Sequence, residues 1–370
     1  MTIKSRAFGS PSTYIQGPGE FENLELFTKK YGDSVCFLID GFLYENLEER
    51  LKKVYDSTDS SYVAIDFHGE CSENEVERIG VIARDKNAKI MVGIGGGKTI
   101  DAAKLVSDLI EIPLGIVPTS ASTDAPVSQI AVIYSDEGEH LGSKKLKRNS
   151  EFVLVDTEII LGAPKRLFLA GIGDALATWF EAQTNILSGA KNYVGEGYGM
   201  CLAGKAIAKI CYETLLEDGR QAMKDLTDKT LSKAFENVVE ANTLLSGLGF
   251  HNTGLSAAHG IHSGLTAVES SHNFLHGEKV SFGVVCQLLL EKKEEKEIDE
   301  VLKFMVDLGL PVTLKEVGVE ATEDNLLAIA KKTVKGNMLI HNEPFPVKIE
   351  DVLKILKEAD ILGNKYLVNR

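Results

Sequence analysis

Basic residues are in deficit: 40 Lys and Arg stand against 54 Asp and Glu, a formal net charge of −14. Phosphate backbones and anionic membrane surfaces both call for a basic face, so nucleic acid and membrane are excluded as partners. Cysteine is scarce as well. The five present, Cys36, Cys71, Cys201, Cys211 and Cys286, are odd in number, scattered and without a CxxC pair. That pattern excludes a disulfide framework and fits reduced thiols in a cytoplasmic protein. Long apolar runs are absent too. No segment approaches the ~20 apolar residues of a membrane span, and the opening MTIKSRAFGSPSTY has no apolar core of a secretion signal. Internal repeats and low-complexity tracts are likewise missing. The expectation is a cytoplasmic protein.

What is there is an ordinary globular composition, 44% hydrophobic and 25% charged, spread over 370 residues. A chain of this length exceeds one ordinary core, so two domains are expected. From about Tyr14 to Asp156 short β-branched runs (SVCFLID, SYVAIDF, AKIMVGI, PLGIVP, EFVLVD) alternate with amphipathic stretches such as YENLEERLKKVYDS and KTIDAAKLVSDLI. One stretch, SENEVERIGVIARD, opens with a capping box, Ser72 to Glu75. This rhythm predicts βαβ units and a largely parallel sheet. Beyond Asp156 the strand signals nearly vanish. Helical patterns follow at Lys165 to Gln183, Tyr198 to Glu217, Ala234 to Leu248, Gly254 to Val268, Glu278 to Lys292 and Ile349 to Ala359. The run EKKEEKEIDE at 291–300 reads as a solvated helix end and turn. The expected architecture is an α/β nucleotide-binding domain over 1–160, then an all-α metal-binding domain over 161–370, with the active site in the cleft between them.

The histidines are not scattered. Of eight in the chain, four (His259, His262, His272, His276) fall within the stretch LSAAHGIHSGLTAVESSHNFLHGEKV, and His251 lies just before it. His259 and His262 share a helix face at a spacing of three. His276 follows a polar connection and can meet His259 from a second helix. Neutral imidazole is a common ligand for transition metals. His251 and His272, in more polar surroundings, read as exposed residues of no special role. In AGIGDALATWFEA, Asp174 follows two glycines at the start of an apolar helix. A simple helix cap explains it in isolation, but beside two imidazoles it is the best candidate for a third metal ligand.

In the α/β half, GIGGGKT (Gly93 to Thr99) follows a strand and opens a helix. Gly95, Gly96 and Gly97 let backbone N–H groups approach a diphosphate, which a helix N-terminus favours. Neither common template fits: GxGxxG from Gly93 would need glycine at Lys98, and a P-loop ending Gly97-Lys98-Thr99 would need glycine at Val92. Asp40, ending SVCFLID, is suited to bind ribose hydroxyls and to repel a 2′-phosphate, favouring NAD over NADP. In VPTSASTDAPVS the hydroxyls of Thr119, Ser120, Ser122, Thr123 and Ser128 crowd one carboxylate, Asp124. Such loops line the ligand crevice of a parallel sheet.

Taken in order, YIQGPG, GIGGGKTIDAAK, VPTSASTDAPVS, FVLVDT, GDALATWFEA, VEANTLLSGLGF, AAHGIHSGLT, LHGEKV and IHNEPFPV resemble the glycerol dehydrogenases of the metal-dependent alcohol dehydrogenase superfamily. That family has a dehydroquinate synthase-like fold. The resemblance implies zinc held by Asp174, His259 and His276, which would bring the substrate hydroxyl to the ion, with Asp124 contacting the polyol. It implies an NAD site lined by Asp40, Gly97, Lys98, Thr119, Ser122, Ser128, Ile130 and Tyr134, and a homo-oligomer, an octamer by family. Thr178 stands where iron-type members carry a further histidine, which favours zinc over iron. The chain departs from the family's AAHAIHNG form at Gly260 and Ser263. The expected reaction is reversible oxidation of glycerol to dihydroxyacetone, with Asp124 binding the diol and His262 relaying the proton. The alternatives are another short diol, lactaldehyde or glycerol 1-phosphate with the same machinery, a dehydroquinate synthase-type lyase, and a non-catalytic nucleotide-binding protein.

Overall fold

A computed structural model describes residues 5–335 and 339–368. The chain forms two units, one over Ser10–Ala163, the other from Pro164 onward together with the segment up to Gly9. The described residues up to Gly9 therefore group with the helical unit, outside the expected 1–160 domain, for a local reason. Arg6–Ala7 pairs in parallel with Gly199–Met200. The Gly9 N–H donates to Asn252 Oδ1 at 2.7 Å, and Asn252 Nδ2 donates back to Gly9 O at 2.9 Å.

The α/β unit is built on strands β1 (Tyr14–Gly17), β2 (Ser34–Asp40), β3 (Ser61–Phe67), β4 (Ile90–Gly95), β5 (Leu114–Pro118), β6 (Ile130–Tyr134), β7 (His140–Lys145) and β8 (Phe152–Asp156). Six of them form one parallel sheet in the order β1-β8-β5-β4-β2-β3. The sheet is covered by helices, so its strands read as continuous apolar runs: Val35, Phe37, Ile39, Ile90, Val92 and Ile94 are fully buried in one core with Leu47, Leu51 and Phe152. Helix α1 (Tyr44–Tyr55) joins β2 to β3, α2 (Glu73–Asp85) joins β3 to β4, and α3 (Gly97–Ile110) joins β4 to β5. The chain leaves β2 for the edge strand β3 and returns to β4 on the other side of β2. The carboxyl ends of β2 and β4 therefore flank a topological switch point, where open sheets of this kind bind ligands.

Two local features differ from the sequence reading. Only half of the capping box forms: Ser72 Oγ accepts from Glu75 N at 3.3 Å, but the Glu75 carboxylate turns to Arg78 at 2.6 and 2.7 Å. Strands β6 and β7 make an antiparallel hairpin that went unread, because the HLGSKK strand is polar and exposed on both faces.

In the helical unit, α4 (Lys165–Ser188) starts after Pro164 and stops at Gly189, which takes the left-handed conformation at φ 70°. Phe168, Ile172, Leu176 and Phe180 recur every four residues and are buried. Helix α5 (Leu202–Thr227) follows. The expected helix at Ala234 to Leu248 is instead Lys233–Glu240, a π-turn at Ala241–Leu245 and a second helix Ser246–Thr253. The charge run 291–300 contains the start of an unforeseen helix, Glu295–Leu308, and Glu323–Lys335 is a further one. Next to the histidines lie α6 (Ala257–Leu265) and α7 (His276–Leu290), and the last described helix is α8 (Ile349–Val368). Among the described residues no helix is long and apolar enough to cross a membrane.

Helices α4 and α7 meet backbone to backbone. A Cβ on Gly277 would stand 1.8 Å from the Ala170 carbonyl oxygen, so only glycine permits this approach. At the start of both helices, Arg166 grips Glu278 with two nitrogens at 2.6 and 2.7 Å and also donates to Asn273 O. Gly277→Ala should therefore cost at least ~2 kcal/mol of stability, within the usual range for overpacking, read as a fall in the thermal unfolding midpoint. An unchanged midpoint would show that the close contact is dispensable.

Candidate active site

In the helical unit the glycine contact sets Asp174 beside His276. His276 Nε2 lies 3.1 Å from Asp174 Oδ1, and His259 Nε2 of α6 lies 3.3 Å from the same oxygen. The donor atoms of all three residues fall within 4.8 Å of one another. Asp174 Oδ2 is buried and makes no hydrogen bond, although buried polar atoms are normally paired. Two ligands 2.0–2.1 Å from a tetrahedral ion stand about 3.3 Å apart, which matches the spacing seen. A carboxylate and two imidazoles with an unsatisfied buried oxygen thus fit a divalent cation.

The group has a supporting residue that sequence reasoning missed. Glu181 is fully buried on α4, seven residues and two turns beyond Asp174 on the same face. Its Oε2 lies 2.8 Å from His259 Nδ1, and its Oε1 accepts from the backbone N–H of Ser256 and His259 at 2.8 and 3.0 Å. One carboxylate thus caps the amino end of α6, neutralises its dipole and fixes the imidazole proton on Nδ1, leaving Nε2 open. The sequence signal was the i, i+7 spacing inside GDALATWFEA.

Electrostatics follow from this crowding. Burial opposes ionisation of Asp174, but His276 and His259 outweigh it and hold the carboxyl far below its usual range. Burial also works against a charged His259, yet Glu181 and Asp174 raise its pKa well above the ordinary imidazole value. The two carboxylates together favour a cation at this point. His262 behaves oppositely: burial first, then His276 and Lys279, depress its pKa and keep it neutral. Its Nε2 is 3.1 Å from His276 Nδ1, so a His276 that ligates through Nε2 donates to His262.

His272 is exposed and meets Thr266 O through Nε2 at 3.1 Å. His251 is a correction: it is completely buried, because helix Ser246–Thr253 packs against both α4 and α5. Thr178, one turn past Asp174, spends its hydroxyl on Ser246 Oγ at 3.0 Å. Ser263 turns its hydroxyl back to His259 O at 3.0 Å.

In the α/β unit Asp40, Gly95 to Lys98 and Thr119 lie at the carboxyl ends of β2, β4 and β5, while Ile130 and Tyr134 begin and end the hairpin strand β6 and Ser128 precedes it. Asp40 ends β2, and its Oδ1 accepts from Phe42 N at 3.1 Å in a local turn. Gly95 pairs with Pro118, and Thr119 N donates to Gly95 O at 3.1 Å. The glycines divide their labour. A Cβ on Gly95 would meet Thr99 at 2.7 Å, so that glycine serves the packing of α3 on the sheet; Gly96 faces open space, and Gly97 meets only Thr123 Oγ1 at 3.8 Å. The fold does not demand the absence of a side chain at Gly96, whereas a ligand at the helix amino end would. Lys98 pairs with Glu70 at 2.6 Å and lies 5.4 Å above the Tyr134 ring. Ser122 meets Ser120 Oγ at 3.0 Å, Ser128 is buried, and Asp124 precedes the 3-10 turn Ala125–Val127.

The sequence profile of iron-containing alcohol dehydrogenases matches residues 11–157. Over 359 residues the chain is 45% identical to glycerol dehydrogenase of Thermotoga maritima, covering 95% of this chain and 96% of that one. The chain belongs to the glycerol dehydrogenase family of iron-containing alcohol dehydrogenases. Members of this family are oxidoreductases, and so is this chain. A probable glycerol dehydrogenase from Sinorhizobium meliloti has the same fold, with a TM-score of 0.91 at 40% identity over 97% of this chain and 99% of that one. Glycolaldehyde reductase of Halobacterium salinarum is 39% identical over 97% of this chain and 98% of its own. The expected fold class, α/β followed by helical, agrees with these relatives.

Two outcomes follow from this geometry. Glu181→Gln should weaken retention of a divalent metal ~10- to 100-fold in a chelator competition, and full retention would remove Glu181 from the site. Gly96→Ala, whose φ of −83° suits any residue, should leave the thermal midpoint within about 2 °C. The same variant should weaken NAD binding at least ~10-fold by calorimetry.

Proposed function

We propose that this chain oxidises glycerol reversibly to dihydroxyacetone, with NAD as hydride acceptor and a zinc ion held by Asp174, His259 and His276. The observation that carries this reading is the convergence of two imidazoles on one buried carboxylate, whose Oδ1 they approach at 3.1 and 3.3 Å and whose Oδ2 has no hydrogen-bond partner. Relatives named glycerol dehydrogenase support the substrate. Three donors, with threonine at position 178, support zinc over iron.

When bound, a divalent ion supplies Lewis acidity that lowers the pKa of a coordinated hydroxyl, as it lowers that of water from 15.7 to about 7. NAD, when bound, accepts hydride from the carbinol carbon. The residues of the chain do the rest. Glu181 orients His259, and His262 holds His276 and, in this reading, carries the released proton toward solvent. Asp124 binds a neighbouring hydroxyl of the diol. Asp40 takes the ribose hydroxyls and disfavours NADP. Gly95, Gly96, Gly97 and Lys98 cradle the diphosphate, while Thr119, Ser122, Ser128, Ile130 and Tyr134 line the remainder of the dinucleotide site. The same reading takes the protein to be a cytoplasmic homo-oligomer, an octamer on the family resemblance.

Phosphorylated substrates fit poorly. Lys279, the basic residue nearest the histidines in sequence, is buried and directed to Ser271 O at 3.4 Å. The same shortage of cations speaks against a dehydroquinate synthase-type lyase. A second reading, reduction of a short 2-hydroxyaldehyde, is favoured by the Halobacterium relative. The test is to strip metal with a chelator, restore zinc or iron, and follow NAD reduction with glycerol, 1,2-propanediol and glycerol 1-phosphate. Zinc should restore turnover, with glycerol preferred over its phosphate by at least ~10-fold in kcat/KM, or about 1.4 kcal/mol. Full activity without metal would end the proposal.

A further inference from the structure

Lys104 lies on α3, beyond the glycine loop, with its side chain completely buried. An ammonium has three N–H donors. Here they meet Asp101 Oδ1 at 3.1 Å, Ala125 O at 2.8 Å and Ile130 O at 2.7 Å, with Ser128 Oγ further off at 3.4 Å. Asp101 continues the network, since its Oδ2 accepts from Val132 N at 3.0 Å. A single buried ion pair on α3 therefore holds the 3-10 turn Ala125–Val127, Ser128 and the first residues of β6.

Apolar packing alone does not account for this residue. A buried ammonium loses its hydration, and a well-packed hydrophobic side chain of similar volume would avoid that penalty. What the cation provides is two short directed bonds to the inward-turned carbonyls of Ala125 and Ile130, the first of which also accepts from Ser128 N at 3.2 Å. That segment carries Asp124, Ser128 and Ile130, while the helix bearing Lys104 carries the glycine loop at its amino end.

We propose that Lys104, through its pairing with Asp101, is a positioning residue that joins the dinucleotide cradle and the Asp124-bearing loop into one rigid piece. Lys104 touches neither ligand; it sets the distance between the groups that do. The inference rests on the ligand-binding roles given above to residues 95–98 and 124–130.

The test uses the zinc-loaded full chain carrying Lys104→Met, with Asp101→Asn/Lys104→Met as a second variant in which both charges are removed. Amide hydrogen exchange, zinc content and steady-state kinetics are read together. Exchange at residues 125–132 should accelerate on the order of ten-fold, and KM for both diol and NAD should rise by a similar factor. Peptides containing His259 and His276 should keep their exchange rates, zinc content should be unchanged, and kcat should move much less than KM. Unaltered exchange and KM in a folded variant would overturn the proposal. So would accelerated exchange throughout Ser10–Ala163 in both variants, which would mark Lys104 as a residue of the fold in general. Failure of the ligand-site reading is seen separately: NAD binding would then be unaffected by Gly96→Ala, and the loop of Lys104→Met would loosen without a change in KM.

Discussion

The contact between the Gly277 backbone and the Ala170 carbonyl sets the spacing of Asp174 and His276, around which the chemistry of the helical unit is built. Two helices that touch at main-chain distance bring His276, the residue before Gly277, and Asp174, one turn beyond Ala170, to 3.1 Å of each other. The Arg166–Glu278 fork fixes the register of the same two helices at their starts. Helix α6 is brought in by a different device, the buried Glu181 carboxylate, which satisfies its free backbone donors and orients His259 in one stroke. The result is a small anionic enclosure with two imidazole nitrogens turned inward. Such an enclosure is costly when empty and is relieved by a cation.

The α/β unit solves a different problem with the opposite chemistry. The inner strands β2, β4, β5 and β8 are apolar and buried along most of their length, and the polar candidates cluster where those strands end. There glycine serves two purposes that sequence alone does not separate. At Gly95 it lets α3 pack on the sheet, while at Gly96 it leaves space that no part of the fold fills. The buried Asp101–Lys104 pair supplies the rigidity that a loop rich in serine and threonine lacks on its own.

Much of this was legible in the sequence, because strand alternation, the glycine loop and the clustering of histidine are signals carried by residue type. Asp174 could be singled out only because the two histidines needed a partner. Glu181 carries only its seven-residue spacing from Asp174: a glutamate on a helix is ordinarily solvated, and the helix packing reveals that this one faces inward. His251 was misjudged for the converse reason. Its polar neighbours suggested exposure, yet its helix lies against both α4 and α5. The β6–β7 hairpin escaped because polar, exposed strands lack the alternation that periodicity detects. The segment up to Gly9 looks continuous with the α/β half in sequence, whereas Asn252, far along the chain, holds Gly9 in space.

The central claim is that Asp174, His259 and His276 jointly hold one divalent ion. Anomalous diffraction at the zinc edge from crystals of the zinc-loaded protein tests it most directly. One strong peak per chain should lie within about 2.0–2.2 Å of an Asp174 carboxylate oxygen and of both Nε2 atoms. A fully loaded protein with no peak among these three residues, or with zinc bound elsewhere in the chain, would contradict the account.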